Sequence, residues 1–112
     1  MAELTPLLSE LRSVQDFESL LRSFVQSLPS KIEAIQSAMQ TRPDVAAQLL
    51  HKLHGSAGGY GYPMISRVVA DLEKKVKAGT SASDLQTDVA ALEELVHRAQ
   101  LGLDPSRDTQ GF

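Results

Sequence analysis

The chain has 112 residues, enough for one small domain with a single hydrophobic core. Hydrophobic residues make up 42% and charged residues 22%, which is typical of a soluble globular protein. The net charge of −3 and the aromatic content of 4% argue against binding to nucleic acid or to an anionic membrane surface. The absence of cysteine excludes a disulfide framework, a thiolate metal site and a cysteine nucleophile.

The sequence carries no recognisable targeting segment. No apolar run approaches the roughly 20 residues that a membrane span needs. The N-terminus, Met1-Ala2-Glu3-Leu4, lacks the basic-then-apolar pattern of a secretory signal. We therefore expect a cytoplasmic protein, and the initiating Met1 favours a free-standing one.

Apolar residues recur at helical spacing along the chain, and no segment shows the alternation of a strand. The first predicted helix is short, with Thr5 as its cap and Pro6 as its first residue. The second starts near an Asp16 cap and extends over about 16–40, as one helix bent near Pro29 or as two helices in line. The apolar positions of these two segments are Leu4, Leu7, Leu8 and Leu11, then Phe17, Leu20, Leu21, Phe24, Leu28, Ile32, Ile35 and Met39.

Three further helices follow, each with a cap or proline at its start and glycine at its end. We place them at about 41–58, 63–79 and 83–102. Their start signals are Thr41, Pro63 and the pair Ser83 with Gln86. The polar tail, 103–112, is predicted to be disordered.

These elements predict an all-α fold. Four sizeable amphipathic helices with short connections indicate an antiparallel up-down four-helix bundle. We expect the short N-terminal helix to pack across one end, and residues 1–102 to form a single domain.

One histidine, His51, is predicted to stand clear of its surroundings. It lies off the apolar stripe formed by Leu49, Leu50, Leu53 and Ala57. Gly55 follows one turn later inside the helix, where glycine costs on the order of 1 kcal/mol relative to alanine. Ala47 is short and Gly58 is bare, so His51 has a cleared patch of helix surface around it.

An exposed imidazole of this kind can do covalent chemistry. A neutral imidazole is nucleophilic at neutral pH and can carry a group covalently. A flat helix face offers no cleft for a small substrate. The other half of such an active site would belong to another protein.

The residues from His51 onward resemble the signature of the histidine-containing phosphotransfer (HPt) domain family. That signature is histidine, any residue, leucine, lysine and glycine, then small residues, a later glycine and a leucine–glutamate pair in the next helix. The matching residues are His51, Leu53, Gly55, Ser56, Ala57, Gly61, Leu72 and Glu73. Helix order and lengths also fit, so the resemblance covers roughly residues 16–101.

The resemblance implies a phosphocarrier of a two-component phosphorelay rather than an enzyme. His51 would accept a phosphoryl group from an aspartyl phosphate and pass it on. The partners would be a response-regulator receiver domain, a hybrid histidine kinase, or both. The resemblance also implies that Mg²⁺ comes with the receiver. The sequence shows no nucleotide-binding motif and no carboxylate cluster for Mg²⁺, which argues against an enzyme. The docking residues around His51 would be Ala47, Gln48, Lys52, Gly58 and Ala70.

Glu73 is predicted to orient the His51 ring. A hairpin folded at the glycines between the two helices brings the Glu73 side chain toward the level of His51. Its carboxylate would accept a hydrogen bond from Nδ1–H and leave Nε2 as the nucleophile. Alternatively, Glu73 is a solvated charge paired with Lys77 at i+4.

His54 stands where the family usually has lysine. The fixed charge of a lysine can stabilise phosphoryl oxygens, whereas a histidine is mostly neutral at neutral pH. We expect His54 to contact the phosphoryl group by a hydrogen bond. It is not the expected acceptor, because the offsets of Leu53 and Gly55 match the signature only from His51.

Two other functions are open on the sequence. The first is a docking module that regulates a kinase or receiver without being phosphorylated. The second is a metal-binding bundle that uses His51 and His54. That site would need a third ligand, and His97 is the only other histidine in the chain.

Overall fold

The computed structural model describes residues 5–14 and 16–103, and these residues confirm the all-α class. They form four α-helices and no strand: α1 (Glu18–Thr41), α2 (Pro43–Gly59), α3 (Pro63–Lys77) and α4 (Gln86–Leu103). A 3₁₀ turn, Ser83–Leu85, leads into α4. Within this described part, no helix combines the length and the apolar character that crossing a membrane requires.

The apolar stripes of the four helices meet in one core. Helix α2 packs against α1 and α3, and α4 packs against the same two helices. Nearly every predicted stripe position among the described residues is buried or half-buried, and the exceptions are Leu8, 40% exposed, and Leu20, 48% exposed. Between α2 and α3 the side-chain contacts run in opposite order along the two helices, since His51 meets Glu73 and His54 meets Ser66.

Helix α1 is continuous through Pro29, as the one-helix alternative predicts. Its predicted cap is wrong, because Phe17 occupies the N-cap position and makes no side-chain cap bond. Asp16 has a φ of +64°, a left-handed conformation that differs from the extended geometry of an N-cap residue. Asp and Asn tolerate this conformation better than most residues do.

Two further caps differ from the sequence prediction. Pro43 is the first residue of α2, so the N-cap is Arg42 and Thr41 ends α1. Ahead of α4, the hydroxyl of Ser81 accepts a hydrogen bond from the Asp84 N–H at 3.3 Å, and Ser83 caps nothing. Leu103, which the sequence prediction places in the tail, is the last residue of α4. The rest of the tail prediction, residues 104–112, lies outside the described residues.

The predicted short N-terminal helix does not form in residues 5–14, which we call the N-terminal strap. Within the strap the backbone makes only isolated turns, in which the Arg12 N–H donates to the Ser9 carbonyl and the Val14 N–H donates to the Leu11 carbonyl. Two other backbone groups bond to distant parts of the chain. The Leu7 N–H donates to the Arg98 carbonyl, and the Glu10 N–H donates to the Gly61 carbonyl, each at 2.8 Å. The strap therefore runs from α4 to the α2–α3 loop. The first position of the predicted stripe, residue 4, lies outside the described residues.

The α2–α3 loop is shaped to receive the strap. The Ser9 hydroxyl is buried and donates to the Tyr60 carbonyl at 2.5 Å. Gly61 has a φ of +83°, and a Cβ there would come within 2.5 Å of the Ser9 hydroxyl and 2.9 Å of the Glu10 nitrogen. Glycine is therefore required at this turn, both for its conformation and for the close approach of the strap.

Candidate functional site

His51 projects from the middle of α2 into solvent. Its side chain is 74% exposed, whereas the neighbouring Leu50 is completely buried. The core-facing residues of α2 are Ala46, Ala47, Leu50, Leu53 and Ala57. The structure thus leaves the His51 ring open to a large partner, as its position off the apolar stripe predicts.

A buried carboxylate holds one edge of this ring. Glu73 lies on the core side of α3 with only 10% of its side chain exposed, and its Oε2 is 3.2 Å from Nδ1 of His51. An ionised carboxylate can only accept hydrogen bonds, so Nδ1 carries the proton. In the neutral His51 ring, Nε2 is then left with the lone pair.

Lys77 bonds to the same carboxylate oxygen. Its Nζ lies 2.9 Å from Oε2 of Glu73, one turn along α3. This hydrogen bond is the largest cause that lowers the pKa of the Glu73 carboxyl below its ordinary value of 4.5; desolvation opposes it, and His51 adds a smaller effect. The two alternatives for Glu73, a bond to His51 or a pair with Lys77, are therefore realised together on one oxygen.

An open, shallow depression of about 450 Å³ lies beside the His51 ring. Its lining residues are Asp44, Ala47, Gln48, His51, Lys52, Glu73 and Lys77. Three of the predicted docking residues are among them: Ala47, Gln48 and Lys52. The other two, Gly58 and Ala70, do not line it.

The two glycines that flank the site in sequence have different surroundings. A Cβ added to Gly55 would meet nothing within 4 Å, so packing within the described residues does not require glycine there. A Cβ added to Gly58 would lie 3.5 Å from the Ser66 hydroxyl, an ordinary contact. Gly58 therefore faces the first turns of α3, and Gly55 faces open space.

His54 is half-buried and bonds to Ser66 of α3. Its Nδ1 is 3.1 Å from the Ser66 carbonyl oxygen and 2.9 Å from the Ser66 hydroxyl, and that hydroxyl is 3.0 Å from the His54 carbonyl oxygen. Nδ1 either donates to the Ser66 carbonyl, while the hydroxyl donates to the His54 carbonyl, or accepts the proton of the hydroxyl. In both arrangements Ser66 engages Nδ1, so Nε2 alone remains for a phosphoryl group.

Sequence reasoning missed Ser66, and it treated His51 and Lys77 as alternative partners of Glu73 rather than as simultaneous ones. The one sequence signal for Ser66 is the bare surface of Gly58, which lies opposite it once the hairpin is folded. Across the residues described, no three histidine or acidic side chains come together as a metal site, so His97 does not join His51 and His54.

Comparison with known proteins agrees with this geometry. The family model of the Hpt domain matches residues 19–102. The chain is 28% identical over 78 residues to the signal transduction histidine-protein kinase BarA of Escherichia coli K12, and equally to BarA of E. coli O157:H7 and of Shigella flexneri. The matched stretch covers 70% of this chain but only 8% of each relative. No solved structure matches the chain significantly.

Proposed function

The chain belongs to the Hpt domain family, the phosphotransfer modules of two-component signalling, and from that premise we propose that it carries a phosphoryl group on His51. The phosphoryl group would arrive from an aspartyl phosphate of one receiver domain and leave on another. The chain would then be a carrier between partners and would need no nucleotide site of its own.

The observation that supports this proposal most strongly is the exposed His51 ring with its Nδ1 held by a buried carboxylate. In the transfer step the Nε2 lone pair attacks phosphorus. The N–P bond forms as the P–O bond to the aspartate breaks, and the aspartate leaves with the electron pair as a carboxylate. Nδ1 keeps its proton, so the phosphorylated ring is positively charged, and the Glu73 carboxylate 3.2 Å away offsets that charge.

The partner would dock over the depression beside His51. We infer that Ala47, Gln48 and Lys52 contact the receiver there, and that Gly58 and Ala70 extend the same face. The open space at Gly55 supports a steric role, since no described neighbour occupies it and a partner loop could. The acidic residues of the receiver would hold the Mg²⁺ ion.

His54 would contact the phosphoryl oxygens only through Nε2. In the neutral His54 ring, Nε2 can donate only when Nδ1 accepts the proton of the Ser66 hydroxyl. This ring has no fixed charge, so its contribution to phosphoryl binding would be weaker than that of a lysine. Lys52, which follows His51 on α2, supplies a permanent positive charge at the depression.

We also infer an antiparallel up-down arrangement of the four helices in one domain, residues 1–102. One residue separates α1 from α2, and three separate α2 from α3. Connections this short favour antiparallel neighbours. The opposite order of the contacts along α2 and α3 supports the same arrangement.

The remaining candidate is a docking module that binds a receiver or kinase without being phosphorylated. The open depression would serve that role equally well. The two functions differ in whether His51 becomes covalently modified, so the ring itself must be tested.

The test uses the wild-type chain, His51→Gln and the matched control His54→Gln. Each is incubated with receiver domains phosphorylated by labelled acetyl phosphate. A carrier gives acid-labile, alkali-stable label on the wild type and on His54→Gln, and none on His51→Gln. Retention of label by His51→Gln would contradict the proposal. An unlabelled wild type that still binds the receivers would favour the docking module.

A further inference from the structure

One carboxylate oxygen at the site serves two donors. Oε2 of Glu73 lies 3.2 Å from Nδ1 of His51 and 2.9 Å from Nζ of Lys77. The Glu73 side chain is 10% exposed, whereas that of Lys77 is 62% exposed. A negative charge near the core is thus shared between an ammonium group and an imidazole.

A carboxylate removed from water needs a positive partner nearby. Lys77 brings such a charge with it at neutral pH. His51 can supply one only by taking up a second proton, which lands on Nε2 and occupies the lone pair that the transfer step needs. The same Glu73 that orients His51 would therefore also tend to inactivate it, unless another cation offsets its charge.

The other charged groups of the depression do not take this role. Those lining it are Asp44 and Lys52 on α2 and Glu73 and Lys77 on α3, while α1 and α4 contribute none among the described residues. Asp44 interacts with Arg42 at 3.5 Å. Lys77 is the cation that bonds to Glu73.

We propose that Lys77 is a positioning residue for the phosphoacceptor: it balances the Glu73 carboxylate and so favours the neutral His51 ring, in which Nε2 keeps its lone pair. This inference rests on the proposed function for its consequence, the rate of phosphorylation. The charge balance itself is a property of the unphosphorylated chain.

A purely structural role for Lys77 must be distinguished from this one. Lys77 is the last residue of α3 and lies four residues after Glu73, so it also favours the helix as an i,i+4 partner and as a cation at a helix C-terminus. Loss of that support would lower activity at every pH. Loss of the charge balance would lower it only where His51 becomes protonated.

The experiment compares Lys77→Gln with the conservative variant Lys77→Arg. The matched control is Lys74→Gln, which removes the same charge from the last turn of α3 at a residue with no ion pair in the described part of the chain. Two readouts are followed from pH 6 to 9. One is the ¹⁵N NMR titration of the His51 ring in the unphosphorylated protein. The other is the rate of labelling by phosphoramidate, a small donor that loses ammonia as its P–N bond breaks.

In Lys77→Gln the midpoint of the His51 titration should move up by about half a pH unit to one pH unit. This is the size expected for the loss of a unit charge that binds the same Glu73 oxygen and so lies within about 6 Å of Nδ1. The rate at which Lys77→Gln is labelled near pH 7 should be about twofold to fivefold lower than that of the wild type. Near pH 9 the two proteins should be labelled at the same rate. Lys77→Arg and Lys74→Gln should keep the wild-type midpoint.

An unchanged His51 midpoint in Lys77→Gln, or a labelling deficit of the same size at every pH, would overturn the inference. The two readouts also separate it from the proposed function. A shifted midpoint in a chain that takes no label even as wild type would uphold the charge balance and contradict the phosphocarrier. Labelled wild type with an unshifted midpoint would contradict the role of Lys77 alone.

Discussion

The two histidines of α2 lie one turn apart and have opposite surroundings. His51 is largely exposed, and its Nδ1 faces the buried carboxylate of Glu73. His54 is half-buried, and its Nδ1 faces the neutral carbonyl and hydroxyl of Ser66. Of the two rings, only that of His51 has a charged partner and open space beyond it.

This comparison indicates that the neighbours of an imidazole decide what it can do. A phosphorylated ring with a proton on Nδ1 is positively charged, and a carboxylate stabilises such a donor about twice as strongly as a neutral acceptor does. The carbonyl of Ser66 fixes the His54 ring but offers little compensation for a positive charge. His51 thus has the environment of an acceptor, and His54 has that of a structural residue.

The largest expected effect comes from making the surroundings of His51 more like those of His54. Glu73→Ala removes the charged partner of Nδ1, so the ring loses its orientation and the phosphorylated state loses its counter-charge. Loss of a charge-assisted bond should slow labelling of His51 by about tenfold to hundredfold. Initial rates with phosphoramidate measure this, with Glu94→Ala on α4 as an exposed control. Equal labelling rates in Glu73→Ala and Glu94→Ala would show that the charged partner of His51 does not set it apart from His54.

A second variant, at Gly55, fills the open space next to His51. Gly55→Gln should raise the free energy of unfolding by about 0.5 kcal/mol, because glutamine is the better helix former. It should nevertheless slow transfer from a phosphorylated receiver about tenfold, because the longer side chain misplaces the partner. Gly55→Ala is the matched control, since its Cβ meets nothing within 4 Å. A glutamine variant as fast as the alanine variant would show that Gly55 clears no space for a partner.

The smallest effect on transfer is expected at His54. Ser66→Ala removes the hydroxyl that bridges α3 to α2, which should lower the free energy of unfolding by about 1 kcal/mol. Labelling of His51 should change by less than about twofold, because Glu73 and Lys77 are untouched. Urea denaturation and labelling rates on the same preparation test both statements. A large loss of label in a folded Ser66→Ala protein would mean that the two histidines act as one unit.

The sequence is informative about the core and about His51, because both follow from local periodicity. The apolar spacing of four helices and the small residues around His51 can be read within a few turns of helix. The contact with Glu73 is also predictable, since a tight hairpin fixes which levels of α2 and α3 meet.

Features that depend on distant partners are harder to predict. The apolar spacing of the N-terminal strap is helical, yet two of its backbone N–H groups donate to Arg98 and Gly61, and no local pattern encodes those partners. The cap at Thr41 fails for a local reason: Pro43 starts α2 and keeps Arg42, with φ −137° and ψ 73°, out of the helical region. The contact with Ser66, and the fact that Glu73 bonds to His51 and Lys77 at the same time, become visible only when side chains are placed.

The most direct test locates the phosphoryl group on one atom of one ring. The chain is labelled with ¹⁵N-histidine and phosphorylated, and the nitrogen bonded to phosphorus is identified by ³¹P–¹⁵N NMR. We predict a phosphorus–Nε2 bond on His51 with a proton still on Nδ1. Phosphorus on Nδ1 of His51, or on either nitrogen of His54, would contradict the account.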